Sequence, residues 1–310
     1  MSVKREDFTF TSTVGDCEIH AVSFKPDSGE IRGVIQIAHG MAEHIERYTE
    51  FATFLAENGY AVYGDDHLGH GQSINHIYPL GYFGKRNTAC EIFVEDCKKL
   101  MSIARNENPG APYFFFGHSM GSLIARKFTA HFGASLTGAI FCGTVGPNPA
   151  NDIAIMLCDI MSKLDGPVAD GKLIDKLAFS TYNNKTEKRT KFDWLSRDNA
   201  VVDKYIADPL CGFYFTNRGY RDLLTLLKWV NSSEWPRAVK KDLPILVISG
   251  SMDPCGEYTK GVNKVIKALE NTGHNVDHIF YEGARHEILN ELQKEDTMND
   301  VLSWCNSVIG

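Results

Sequence analysis

The chain has 310 residues, 43% of them hydrophobic and 23% charged, with a net charge of -7. That is enough apolar material to bury a large core, which argues against disorder and allows one α/β domain with an insertion, or two domains. A phosphate backbone needs a concentrated basic face, so an acidic chain without a Lys/Arg cluster argues against nucleic acid as a partner. The stretch from Met1 to Asp7 has no apolar h-region, and no uninterrupted apolar run approaches transmembrane length, so a cytoplasmic protein is expected. The eight cysteines are scattered without a C-x-x-C pair, the pattern of buried or incidental free thiols.

Taken in chain order, residues Phe8 to Val14 and Glu18 to Phe24 predict an antiparallel pair joined near Gly15-Asp16. Gly33 to Ala38 predicts a strand, Tyr48 to Asn58 a helix closed by Gly59, and Tyr60 to Gly64 the next strand. Phe93, Cys97, Leu100, Met101 and Ala104 recur at helical spacing within Cys90 to Ala104, and Asn108-Pro109-Gly110 stops that helix. A bulky run then feeds Gly117-His118-Ser119-Met120-Gly121, Ser122 to Phe132 has helical composition, and Thr137 to Cys142 continues the sheet.

Between Gly146 and about Arg237 this alternation stops. Ile153, Met156, Leu157, Ile160, Met161 and Leu164 form one apolar helical stripe, with Asn151 as its expected cap and Gly166-Pro167 as its end. The cluster from Phe213 to Leu227 reads as the core of this insertion, with an acyl-chain tunnel as the functional alternative. The sheet resumes at Leu243 to Ser249, followed by a helix around Tyr258 to Leu269, a strand at Val276 to Tyr281 and a last helix from Glu287. The expectation is a mostly parallel central sheet flanked by helices, with residues 1–145 and 238–310 as the core and residues 146–237 as an inserted helical cap.

The chemistry starts at Gly-x-Ser-x-Gly. A strand turning sharply into a helix there lifts the Ser119 hydroxyl clear of the sheet, and side chains at Gly117 or Gly121 would collide with neighbouring backbone. A serine hydroxyl needs a base, and the base needs an acid to hold its tautomer. Asp253 follows the strand ending at Ser249, and His286 follows the strand ending at Tyr281, so both emerge where open α/β sheets bind ligands. Asp253 before a proline is also a turn former, and Asp277 and Glu257 are rival acids; Asp277 falls inside a predicted strand, and Glu257 suits the opening of a helix. The expected oxyanion donors are the backbone N–H groups of Met120 and of Met41, where Gly40 lets the loop bend toward the serine. His67 and His70 beside Asp65 and Asp66 follow no zinc spacing, and Gly69 and Gly71 suggest a turn, so no metal or other cofactor is expected.

Four blocks carry a resemblance: His39 to Tyr48, Asp66 to Ser73, Gly117 to Gly121, and Gly250 to Asp253 with Gly283 to His286. The chain resembles the α/β-hydrolase superfamily, specifically its monoacylglycerol lipase and lysophospholipase-like group of serine hydrolases. The resemblance implies a Ser119, Asp253 and His286 triad, a Met41 and Met120 oxyanion hole, and substrate contacts at Gly40, Glu43, Arg47 and His118. Glu43 and Arg47 match positions that organise the loop and line a polar recess near the leaving alcohol. The chain departs from the group at Leu289, where a second histidine can follow the catalytic one, and at Leu68, where arginine is frequent. A small-molecule lipid or ester is the expected substrate, with transient membrane or micelle contact through the cap. A general carboxylesterase, an aminopeptidase drawing on acidic cap residues such as Asp152, Asp159 and Glu234, and a non-hydrolytic binding module remain alternatives.

Overall fold

The computed structural model describes residues 2–85 and 88–310. Eight strands form one sheet: β1 (Val3–Thr11), β2 (Glu18–Pro26), β3 (Gly33–Ala38), β4 (Tyr60–Asp65), β5 (Tyr113–His118), β6 (Gly138–Cys142), β7 (Ile245–Gly250) and β8 (Val276–Tyr281). Their spatial order is β1-β2-β4-β3-β5-β6-β7-β8. The first two pairings in that order are antiparallel and the rest parallel. The chain therefore reverses direction across the sheet between β3 and β5, and the elbow serine follows β5.

The sequence of β5 shows why the sheet is buried on both sides. Tyr113 and Phe115 pack into one hydrophobic core, while Phe114 and Phe116 pack into the other. A strand covered on both faces reads as a continuous apolar run rather than an alternating one, and each ring buried in this way contributes about 1.5–3 kcal/mol. Helices α1 (Thr49–Glu57) and α10 (Lys294–Ile309) cover the face of Phe114, while α2 (Ala89–Glu107), α3 (Met120–Phe132) and α9 (Lys260–Glu270) cover that of Phe115.

Between β6 and β7 the chain runs through α4 (Asn151–Leu164), α5 (Lys172–Phe179), α6 (Asn199–Ala207), α7 (Asn217–Val230) and the short α8 (Trp235–Ala238). Asn151 does not cap α4. It is the first helical residue, and its amide donates to the Leu224 carbonyl at 2.8 Å, tying α4 to α7. Only part of the α4 stripe turns inward: Leu157 and Met161 pack against the core, while Ile153 and Leu164 are 67% and 73% exposed. Both ends of this middle segment converge on Arg126 of α3, which is fully buried. Its guanidinium donates to Thr144 Oγ1 (3.3 Å), the Val145 carbonyl (2.9 Å), the Val230 carbonyl and Asn231 Oδ1 (3.1 Å), and lies 4.1 Å over the Trp235 ring.

Two expected helix starts move. Glu257, Tyr258 and Thr259 all take left-handed backbone angles (φ 52°, 54° and 72°), so α9 begins after them, and Glu257 pairs with Lys264 instead of opening the helix. The last helix begins at Lys294 rather than Glu287, because only a single 3-10 turn, Ile288–Asn290, follows the histidine loop. The Glu287 and Glu291 carboxylates are held there by Arg47 and by the Arg285 N–H and Arg197, which a continuous helix would pull away. Among the described residues no helix is long and apolar enough to cross a membrane.

Candidate active site

Ser119 sits between β5 and α3 with φ 54° and ψ -117°, a conformation costly for a residue with a Cβ. Its N–H donates to the Cys142 carbonyl at 2.9 Å, which fixes the turn against β6. The flanking glycines are obligatory on steric grounds. A Cβ on Gly117 would lie 2.2 Å from the Gly121 carbonyl oxygen, and one on Gly121 would lie 2.0 Å from that of Ala38.

Asp253 and His286 meet from the ends of β7 and β8. His286 Nδ1 lies 2.9 Å from Asp253 Oδ2, and the Cys255 N–H donates to Asp253 Oδ1 at 2.8 Å. Burial alone would push the His286 pKa down, but the charge and hydrogen bond of Asp253 outweigh it and raise it above 6.5. Ser119 and His286 line the same cavity, and no hydrogen bond joins the two side chains in this structure. The rival acid Asp277 is engaged elsewhere, accepting from Trp304 Nε1 at 2.8 Å.

The loop after β3 lies against the serine: a Cβ on Gly40 would come within 3.3 Å of Ser119 Cβ and 2.6 Å of Glu43 Oε1. Met120 is the first residue of α3, so its N–H has no acceptor within the helix, and Met41 and Met120 both line the cavity. Ala42 takes a left-handed φ of 51°. Its carbonyl accepts from the Gly212 N–H and the Tyr205 hydroxyl, each at 2.9 Å, so the middle segment holds this loop in place.

Behind the loop is a buried charge network. Glu43 Oε1 accepts from the Gly40 N–H (2.6 Å) and the Tyr48 hydroxyl (2.8 Å), and its other oxygen pairs with Arg47. Arg47 also donates twice to Glu287, at 2.7 and 2.6 Å, and stacks over the Tyr205 ring at 4.8 Å. Burial works against each charge, but Arg47 holds Glu43 well below its usual range, while Glu287 and Glu43 hold Arg47 well above its own. His118 joins the network to the base loop, with Nδ1 3.0 Å from the Tyr48 hydroxyl and Nε2 3.2 Å from the His286 carbonyl. Of the expected substrate contacts, Gly40, Glu43 and His118 line the cavity, and Arg47 sits behind them.

The cavity holds about 830 Å³, a volume in the range of small-molecule sites. Its walls include Leu157, Ile174, Leu177, Phe179, Leu223 and Leu224 from the middle segment. The aromatic cluster of that segment divides: Phe215 is buried in packing, while Phe213 and Tyr214 line the cavity. Sequence reasoning missed Trp194, Tyr182 and Glu287. The Trp194 ring lies tilted beside that of His286 (centroids 5.1 Å apart), and its carbonyl accepts the His286 backbone N–H at 3.4 Å; no local pattern announces it. Glu287 had one signal, a charge directly beside the expected base.

The turn after β4 that carries His67 and His70 is closed by backbone bonds, from the His70 N–H to the His67 carbonyl and from the Gly69 N–H to the Ser73 carbonyl, each at 2.9 Å. Asp66 accepts from the Ile45 and Gln72 N–H groups, each at 2.8 Å, and Gly71 is required because a Cβ there would lie 2.2 Å from the Asp66 carboxylate. Burial opposes its charge, but His20 and these donors draw its pKa down to about 2. Asp65, His67 and Cys97 are one of four groups among the described residues whose possible ligand atoms lie within 4.8 Å of one another; Asp65 already pairs with His67 Nδ1 at 3.1 Å.

Comparison with known proteins places the chain in a family. The family described as serine aminopeptidase, S33 matches residues 29–293. A monoacylglycerol lipase of Mycolicibacterium smegmatis is 30% identical over 312 aligned positions, covering 99% of each chain. The monoglyceride lipase of Rattus norvegicus is 25% identical over 291 positions, 91% of this chain and 85% of that one. Among solved structures, a highly thermostable carboxyl esterase from Bacillus coagulans in complex with glycerol superposes with a TM-score of 0.91 at 30% identity, covering 99% of both chains.

Proposed function

The chain belongs to the serine aminopeptidase S33 family of α/β-hydrolases, and from that premise we propose that it is a serine hydrolase cleaving fatty-acid esters of the monoacylglycerol or lysophospholipid type. The observation that carries this reading is the apolar cavity of about 830 Å³ that opens on Ser119 and His286. Ser119 attacks the ester carbonyl and His286, oriented by Asp253, takes its proton and returns it to the leaving alcohol. A water activated by the same imidazole then releases the acid. The N–H groups of Met41 and Met120 receive the developing oxyanion.

Residues 146–237 act in this reading as a cap on the core of residues 1–145 and 238–310, supplying the acyl wall. The exposed apolar side chains Ile160 and Leu164 on α4, with Leu173 on α5, form the face that meets a membrane or micelle. An aminopeptidase would need a carboxylate beside the scissile acyl group. Asp152 and Asp159 pair instead with Lys228 and Arg221 and, like Glu234, do not line the cavity; Asp175 of the middle segment does line it, and accepts from the Tyr220 hydroxyl at 2.7 Å.

The likeness to the Bacillus coagulans esterase favours a second reading, a general carboxylesterase of short esters. A panel varying acyl length and leaving group separately decides between the two: preference for short aryl esters over long-chain monoacylglycerols would remove the lipase reading. Ser119→Ala is expected to lower turnover by about four to six orders of magnitude. A folded Ser119→Ala protein that kept its activity would overturn the mechanism.

A further inference from the structure

The proposed chemistry uses Ser119, Asp253 and His286 but not the two buried carboxylates that share Arg47. Glu43 and Glu287 both line the cavity, with side chains 3% and 4% exposed. Buried ions are costly unless their hydrogen bonding is complete, and in each of the two one oxygen accepts from Arg47 alone; Glu287 is the one next to His286 in the chain. Glu43 Oε1 accepts from the Gly40 N–H and the Tyr48 hydroxyl, and its Oε2 from Arg47. Glu287 Oε2 accepts from Arg47 and, at 3.3 Å, from Asn290, whereas Oε1 accepts from Arg47 alone. A carboxylate offers about four acceptor sites, so Oε1 has room for a further donor.

That room lies beside the residue that handles the leaving group. His286 must stand over the leaving oxygen to return its proton, and Glu287 is the next residue in the chain. Arg47 cannot supply a free positive charge here, because two carboxylates and the Tyr205 ring already surround it. Two of the cavity's lysines, Lys172 and Lys191, gather instead around the Tyr214 ring of the middle segment, at 5.7 and 5.3 Å. Two carboxylates share the one guanidinium at this end, which leaves an excess of acidic over basic groups beside His286.

We propose that Glu287 is a specificity-determining residue that accepts a hydrogen bond from a second hydroxyl of a polyol leaving group and repels leaving groups that carry phosphate. The inference rests on the ester-hydrolase reading above and narrows its substrate class to neutral polyol esters such as monoacylglycerols, against lysophospholipids with anionic head groups. Acyl transfer itself is unchanged: the bond to the leaving oxygen breaks as His286 protonates it, and Glu287 exchanges no proton.

The test compares wild type, Glu287→Gln and Glu287→Asp on three esters of one fatty acid: 1-monoacylglycerol, methyl ester and lysophosphatidate. In Glu287→Gln, kcat/KM for monoacylglycerol relative to methyl ester is expected to fall about fivefold, as a charged acceptor becomes a neutral one. The lysophosphatidate ratio to methyl ester should rise about tenfold, as repulsion inside a partly desolvated recess is lost. Glu287→Asp keeps the charge but retracts it, so it should lose the polyol preference while still rejecting phosphate. Fluorophosphonate labelling of Ser119, which does not depend on an alcohol, identifies whichever variant retains an assembled site. Equal loss on all three esters would show that Glu287 only holds Arg47 and would overturn the proposal. A wild-type protein that cleaves none of them would instead remove the ester-hydrolase reading on which it rests.

Discussion

Replacing Arg126 with methionine tests how the middle segment is fastened to the core. The guanidinium holds residues from both ends of that segment, Thr144 and Val145 at its entry and Val230 and Asn231 at its exit. Methionine keeps much of the volume but none of the donors. The Val145 carbonyl retains a bond from Asn231 Nδ2 at 3.3 Å, so Val230 loses more. An unpaired buried carbonyl costs about 1–3 kcal/mol, and losing the stacking on Trp235 adds about 1–2 kcal/mol in a desolvated site. The other two charge-assisted bonds add about 1.5–3 kcal/mol each. Against these stands a gain of several kcal/mol, because a guanidinium buried without a carboxylate partner no longer has to be desolvated. The net expectation is a loss of about 3 kcal/mol, a factor of about 150 in the folding constant. Urea unfolding followed by tryptophan fluorescence measures this, provided the slope m is unchanged. A loss below about 1 kcal/mol would refute the clamp, since it would mean that the desolvation gain cancels the bonds.

Three further outcomes are expected. Because Asp253 raises the His286 pKa and the base must be neutral to act, kcat/KM should rise with pH through a limb above 6.5. Asp253→Asn should move that limb downward and cut turnover by about four orders of magnitude; a pH-rate profile whose limb stays in place would contradict the assignment. Gly121→Ala puts a methyl 2.0 Å from the Ala38 carbonyl oxygen and 2.6 Å from that of His39. It should cost about 3 kcal/mol or more, because backbone rather than a flexible side chain must move, and should slow fluorophosphonate labelling; an unchanged Tm would refute it. Ile160→Ser with Leu164→Ser should weaken partition onto phospholipid vesicles by about tenfold or more for two partly buried aliphatic side chains, and leave hydrolysis of a dissolved short aryl ester untouched. Unchanged vesicle binding in a sedimentation assay would dismiss the α4 face as the contact.

The sheet and the elbow were legible because their signals are local. Continuous bulk in Tyr113 to Phe116 marks a doubly covered strand, and the glycines at 117 and 121 answer to backbone atoms a few ångströms away. The hairpin turn and the strands of the second half follow for the same reason. The helix after Asp253 was misplaced because three consecutive non-glycine residues take left-handed angles, which no propensity anticipates. The last helix was placed too early because Glu287 and Glu291 answer to Arg47 and Arg197, roughly 240 and 94 residues away in sequence. The α4 stripe has the period of a buried face, yet Ile153 borders the cavity and Leu164 meets solvent, because periodicity reports amphipathicity and not what covers the apolar side. Trp194, Tyr205 and Arg126 act across long sequence separations, which a pattern read along the chain cannot register.

The left-handed backbone at Ser119 bears on how this protein can change over time. Glycine would occupy φ 54° and ψ -117° without the Cβ penalty that serine incurs. A population screened for thermal tolerance alone, with no demand for hydrolysis, would therefore tend to replace serine with glycine at this codon. Under the proposed function, turnover rather than backbone comfort is what keeps serine at this position.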